Sequence, residues 1–269
     1  MKSQCVQGET SVSVSDLKIR SVKDEVSPEE WAVRVDLAAC YRLVALYGMT
    51  DMIANHISAR VPGHTGQFLI NAYGLLYEEI TASSLVKIDF DGNVLWKPDL
   101  DYGFNRAGFV IHSAVHRARH EVECVIHTHT VAGMAVSAMK CGLLPMTQTA
   151  MRFAKVPYHD YESVAIDLGE QERLVRDLGD ADAMLLRNHG LLAVGPSIPE
   201  AFSNIYRLEL ACQSQIAAMS CNTELVIPRS DIVQRTNHLY QRNVRRPWGV
   251  LEWPALLRQI DRRDPSYRR

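Results

Sequence analysis

Val122-Glu123-Cys124-Val125-Ile126-His127-Thr128-His129-Thr130 is a short apolar run that ends in two histidines. The run reads as a buried strand. Residues two apart on a strand point to the same side, so both imidazoles address one point at its C-terminal end. Neutral imidazole is the commonest side-chain ligand of zinc and similar divalent ions. A second strand-like run, Met184-Leu185-Leu186, leads through Arg187-Asn188 to His189-Gly190. Three histidines from two strand ends make half of a catalytic metal site, in which ligands converge from rigid elements and one position stays open. An isolated HxH pair is more often a strand feature satisfied by hydrogen bonds. Asn188-His189-Gly190 on its own reads equally well as a turn. The three histidines together carry the metal reading.

Outward from this stretch, the pattern alternates helices and strands. Ser27 is an N-cap, Pro28 suits the first helical position and Glu30 completes a capping box, so a helix is predicted from there through Leu46, stopping at Gly48. Strands are predicted over 53–61 and 67–72, joined by the turn at 62–66, and over 86–90 and 93–96, turning at Asp91-Gly92-Asn93. Residues 105–119 have helical periodicity, as do 131–139 and 170–178. Short strands are expected at 154–158, 183–187 and 191–194. Ser197-Ile198-Pro199-Glu200 is a second capping box, opening a long helix to about Met219. Strands and helices mix without strict βαβ alternation, which favours a largely antiparallel sheet with helices on its faces. Three segments are expected: a flexible N-terminal arm over 1–26, one domain over 27–225, and a C-terminal arm over 226–269 that packs on the body or on a neighbouring subunit.

The chain has 269 residues and a net charge of −2, enough for one large domain and with no electrostatic case for nucleic acid or an anionic membrane. No apolar run reaches membrane-spanning length, and the N-terminus lacks a secretory pattern. The six cysteines, at 5, 40, 124, 141, 212 and 221, form no CxxC pair, so reduced and mostly buried thiols in a cytoplasmic protein are expected. Of the remaining histidines, His112, His116 and His120 follow one another at helical spacing; metal ligands or residues that support them are one reading, and an exposed helical face is the better one, while His56, His64, His159 and His238 fit no pattern.

With these residues in view, the chain resembles the class II aldolase/adducin superfamily over about residues 30–220. The resemblance is carried by Asn55-His56-Ile57-Ser58-Ala59-Arg60, by Gly74-Leu75-Leu76-Tyr77-Glu78-Glu79 running on to Lys87, and by Asn105-Arg106-Ala107-Gly108-Phe109 leading to His112. It continues in His127-Thr128-His129-Thr130, the run from Ala135 to Pro145, Tyr158-His159-Asp160-Tyr161, Leu186-Arg187-Asn188-His189-Gly190-Leu191, and Glu200-Ala201-Phe202. Several pieces are nearest to the adducin head branch. The resemblance implies a three-layer α/β/α fold around a largely antiparallel sheet, and a homotetramer with sites near subunit boundaries. It also implies a divalent metal, zinc or another such as manganese, held by His127, His129 and His189. In the aldolases that metal is a Lewis acid that polarises a carbonyl and stabilises an enediolate.

The same resemblance exposes a departure. The aldolases carry a glutamate, both ligand and acid/base, four residues before the position of His112; here that position is Gly108. Their small hydroxyl residues for substrate phosphate correspond to Arg106 and Ala107, and a Thr-Gly phosphate contact corresponds to Tyr73-Gly74. The remaining candidates for acid/base or substrate contact are Arg106, whose fork suits a carboxylate, His112, Tyr73, and Glu78 or Glu79. Two functions stay open. One is a metal-dependent lyase, aldol-type or decarboxylating, acting on a small oxygenated carbonyl or carboxylate. The other is a non-catalytic binding or scaffold protein like the adducin head, with an actin role implied only by resemblance.

Overall fold

The structure, a computed structural model, describes residues 17–163 and 169–269. The first sixteen residues of the predicted N-terminal arm, Cys5 among them, lie outside that description. The next part of the arm is tied to the body, with Val22 buried and its N–H donated to Ser83 Oγ at 3.3 Å.

Helix α1 spans Pro28–Leu46 and starts where its cap predicts, with Ser27 Oγ accepting from Glu30 N at 3.1 Å. Its end is set by Gly48, whose φ of +67° lies in the left-handed region. The strands are β1 (His56–Arg60), β2 (Gln67–Ile70), β3 (Val86–Asp89), β4 (Val94–Trp96), β5 (Cys124–Thr128), β6 (Tyr158–His159), β7 (Ala183–Leu186) and β8 (Gly190–Gly195). The helices that follow α1 are α2 (Arg106–Ala118), α3 (Val131–Ala138), α4 (Gln148–Met151), α5 (Glu170–Leu178), α6 (Ile198–Ser220), α7 (Ser230–Leu239) and α8 (Trp253–Asp261).

All eight strands form one sheet in the order β4-β3-β2-β1-β5-β8-β7-β6. Every pairing is antiparallel except β6 with β7. The period of two sorts the strand residues between two cores. Cys124 and Ile126 of β5, Ala183 and Leu185 of β7, and Leu191 and Ala193 of β8 face the larger core, with α1 and α6. Val125, Met184, Leu186, Leu192 and Val194 face the other way, packing with Ile111 and Val115 of α2 and Leu174 and Leu178 of α5. The result is a three-layer α/β/α arrangement.

Two local differences from the sequence reading have physical causes. The strand predicted over 53–61 begins only at His56, because the residues before it form a turn in which Ala54 N bonds Asp51 O at 2.8 Å. The strand expected at 154–158 shrinks to Tyr158–His159, since its only partner, β7, reaches it at two residues. Beyond residue 226 the chain forms α7 and α8. In α8, Trp253 is buried and donates Nε1–H to Asp36 of α1 at 3.1 Å. The last residues reach the body too: Tyr267 is fully buried, and its carbonyl accepts from Ala82 N at 2.8 Å.

Candidate metal centre

The end of β5 is held on both sides. His127 is the penultimate strand residue, and Thr130 caps α3 by accepting from Gly133 N at 3.2 Å. The Thr130 hydroxyl also donates to Glu209 of α6. His129 therefore sits in a strand-to-helix junction pinned at the next residue. His189 closes the short turn between β7 and β8, where Asn188 takes a φ of +56°. Gly190 then passes directly over the end of β5, where a Cβ would stand 2.3 Å from Thr128 O. That close approach brings the two strand ends, and their histidines, together.

Nε2 of His127 lies 2.8 Å from Nε2 of His129, which lies 3.0 Å from Nε2 of His189. His127 is fully buried and the other two are partly exposed. The outer nitrogens assign the tautomers. His127 Nδ1–H donates to Leu191 O at 2.9 Å, and His129 Nδ1–H donates to Asp51 Oδ2 at 3.0 Å. The His129 amide is fixed in turn by Asn55 Oδ1, while Asn55 Nδ2 is anchored on Met49 O. With Nδ1 protonated, the Nε2 lone pairs face one another across about 3 Å. A cation between them turns that repulsive arrangement into coordination, so the donor set fits a divalent metal. Burial, followed by the neighbouring His189, His56 and His129, holds His127 well below the usual histidine range. Burial, then His129 and His159, pushes His189 down to about 4. Both favour the neutral form that binds metal. Among the described residues this is the one cluster of three such groups with converging ligand atoms.

A second set of histidines lies behind the first. In the β1–β5 pairing His56 stands opposite His127 and Ser58 opposite Val125, which puts all four on the α2 side of the sheet. His56 Nδ1 is 2.8 Å from His112 Nε2, and Ser58 Oγ bridges His112 Nδ1 at 2.6 Å and His116 Nε2 at 2.8 Å. The exposed helical face expected for His112 and His116 is therefore corrected: both are fully buried, because α2 is clasped between the sheet and α5. His120, past the end of α2, is exposed. His56, which fitted no sequence pattern, packs on His127 with ring centroids 4.9 Å apart.

Gly108 explains how His56 fits. A Cβ at position 108 would stand 2.5 Å from Cδ2 and 2.9 Å from Nε2 of His56, so the imidazole fills the space a side chain there would need. In an ordinary helix Gly→Ala stabilises by roughly 0.5–1 kcal/mol. Here Gly108→Ala is expected to destabilise by about 1–3 kcal/mol in urea unfolding, and His56→Ala in the same chain should remove much of that penalty. The other candidates lie away from the three imidazoles' orienting contacts. Arg106 is exposed over the Phe104 ring and lines a cavity of about 410 Å³ with Arg117 and Gln171. Tyr73 is exposed beside Gly103, Glu78 is exposed, and Glu79 accepts from Leu76 N.

Known proteins agree with this architecture. The family described as Class II Aldolase and Adducin N-terminal domain matches residues 35–216. The structure of an aldolase II superfamily protein from Pseudomonas syringae is 50% identical, with a TM-score of 0.86 over 93% of this chain and 100% of that one. L-fuculose 1-phosphate aldolase from Glaciozyma antarctica is 25% identical, with a TM-score of 0.79 over 98% of this chain and 97% of that one. Alpha-adducin of Rattus norvegicus is 45% identical over 192 residues, 71% of this chain, which spans about a quarter of that protein's length (26%). The chain belongs to the class II aldolase and adducin N-terminal domain family.

Proposed function

We propose that this chain is a divalent-metal protein in which His127, His129 and His189 hold zinc or manganese. Its reaction is that of a lyase, aldol-type or decarboxylating, on a small oxygenated carbonyl or carboxylate compound. The observation that carries this reading is the convergence of three Nε2 atoms with two of the outer nitrogens already fixed, on Leu191 O and Asp51. The ion, when bound, supplies Lewis-acid polarisation of a substrate oxygen. The chain's own residues orient it: Asp51 and the Leu191 carbonyl set the tautomers, and the buried His56–His112–Ser58–His116 line excludes water from the inner side. Arg106, His112 and Tyr73 remain the proposed contributors to substrate contact or proton transfer. Their placement supports Arg106 and Tyr73, both exposed, more than the fully buried His112.

The proposed setting is a cytoplasmic homotetramer without nucleic-acid or membrane partners. The buried free thiols of Cys40, Cys124 and Cys212 support a reducing environment. Exposed apolar residues beside the histidines, Met52 next to Asp51 and Val131 two residues after His129, support a site that a neighbouring subunit covers. No helix among the described residues is long and apolar enough to cross a membrane. The proposed organisation is a body over 27–225 with a C-terminal arm over 226–269; the contacts of α8 with α1 support the arm's docking.

A second reading, a non-catalytic binding protein like the adducin head, is favoured by one specific observation. Position 108 is glycine, and the space beside it holds an imidazole in place of a carboxylate. The two readings part on one assay. Zinc- or manganese-dependent cleavage of a β-hydroxy-carbonyl or keto-acid panel, abolished in His129→Ala, is the expected result. No turnover by the metal-loaded protein, with filament co-sedimentation in actin assays, would establish the second reading.

A further inference from the structure

Two of the three converging imidazoles have an orienting partner on their outer nitrogen, and the third does not. His189 turns Nε2 towards His129, and its Nδ1 has no hydrogen-bond partner among the described residues. A metal-bound imidazole nearly always donates its second N–H to a carboxylate, a carbonyl or a water. His189 lines a small, partly open pocket of about 10 Å³, shared with His159, Glu170, Tyr161 and Leu186. That volume holds about one water.

The pocket has buried polar groups on one side. His159 is 3% exposed, and its Nδ1 is 2.8 Å from Asp177 Oδ2, so Nδ1–H donates there and, in the neutral imidazole, Nε2 is an acceptor. Nε2 is buried without a hydrogen-bond partner, and the nearest acid, Glu170 Oε1, is 3.5 Å away in a side chain that is itself buried. The backbone explains why this group reaches His189. Strand β6 lies parallel to β7 with His159 opposite Leu186, and Arg187 N–H donates to His159 O at 2.8 Å. His159 thus sits at the end of the strand next to the one that delivers His189. An orphaned buried acceptor costs about 1–3 kcal/mol, so something must satisfy it.

We propose that one water in this cavity accepts from His189 Nδ1–H and donates to His159 Nε2 and to the Glu170 carboxylate. The Asp177–His159–Glu170 cluster is then the orienting partner of the third metal ligand, the counterpart of Asp51 for His129. These are positioning residues, acting on the metal ligand through the water. The inference rests on the metal reading above.

The test measures zinc affinity by chelator competition, and the absorption spectrum of the cobalt-substituted protein, for wild type, Glu170→Gln, His159→Gln and Asp177→Asn, with Asp51→Asn for comparison. Glu170→Gln and His159→Gln are each expected to weaken zinc roughly 10-fold or more and to shift the cobalt bands, with urea midpoints showing that the apoproteins remain folded. Wild-type affinity and spectra in both variants, beside a loss in Asp51→Asn, would overturn the inference and leave the metal reading standing. Wild-type protein that binds no zinc would sink both. Should a variant fail to fold, a high-resolution crystal structure of the zinc-loaded wild type decides. It must show an ordered water within hydrogen-bond distance of His159 Nε2 and His189 Nδ1, and a dry cavity refutes the proposal.

Discussion

His129→Ala is expected to weaken zinc binding by about 10²–10³-fold, while His120→Ala leaves it unchanged. A structural zinc with a full protein ligand set is worth roughly 10–16 kcal/mol, so one imidazole of such a set is worth about 3–4 kcal/mol. His129 is the informative member because its Nε2 is the shared neighbour of the other two, at 2.8 and 3.0 Å. Its side chain is also partly exposed, so the substitution opens no deep core cavity. His120 is a histidine of the same chain, exposed beyond α2 and outside the cluster. Competition with a chromophoric chelator measures both variants. Equal loss in both would mean that zinc binds exposed histidines without preference.

Metal-free protein is expected to lose stability as pH falls from 7.5 to 5.5, through the histidines sealed under α2. His116 is pushed down to about 3, first by burial and then by the Arg60 cation, against a smaller raising effect from the nearby Val122 backbone. His112 is held well below the usual range by burial, then by His116 and His127. The sign follows from proton counting. The folded state keeps these groups neutral, whereas the unfolded chain protonates them below about 6.5, so stability is full above that value and is lost as pH falls towards the folded value. Each such histidine contributes about 1.4 kcal/mol per pH unit below 6.5, so the two together remove roughly 3 kcal/mol at pH 5.5. Asp36 and Glu123, whose carboxyls are raised chiefly by burial, act with the opposite sign at lower pH, which is why the comparison stops at 5.5. Urea midpoints at the two pH values measure the effect; His56, His127 and His189 add to the loss in the same direction, and His116→Gln should remove its own share of about 1.4 kcal/mol. A flat profile in wild type would contradict the burial of neutral imidazoles.

Local rules made part of this protein readable from its residues. The period of two puts His127 and His129 on one side of β5, and the caps at Ser27 and Ser197 start α1 and α6 where the hydroxyls accept from Glu30 N and Glu200 N. The sequence resemblance carried the three-layer fold. What stayed hidden depends on contacts between distant segments. His56 meets His127 only through the β1–β5 register. Asp51 reaches His129 from a turn that no periodicity marks. His112 and His116 look like a solvated face at helical spacing, yet α2 is covered on both sides and Ser58 Oγ bridges His112 Nδ1 and His116 Nε2. The pairing of His159 with Asp177 likewise needs α5 to dock beside β6. In the C-terminal segment, Trp253, Leu256, Leu257 and Ile260 have helical spacing and pack on the main core, while the stretch around them is polar.

The measurement that tests the central claim most directly is anomalous scattering at the zinc edge from crystals of the zinc-equilibrated protein. The account predicts one strong peak per chain, about 2.0–2.1 Å from Nε2 of His127, His129 and His189, with His129 Nδ1 still on Asp51. No peak there, or a peak only at exposed histidines such as His120, would contradict it.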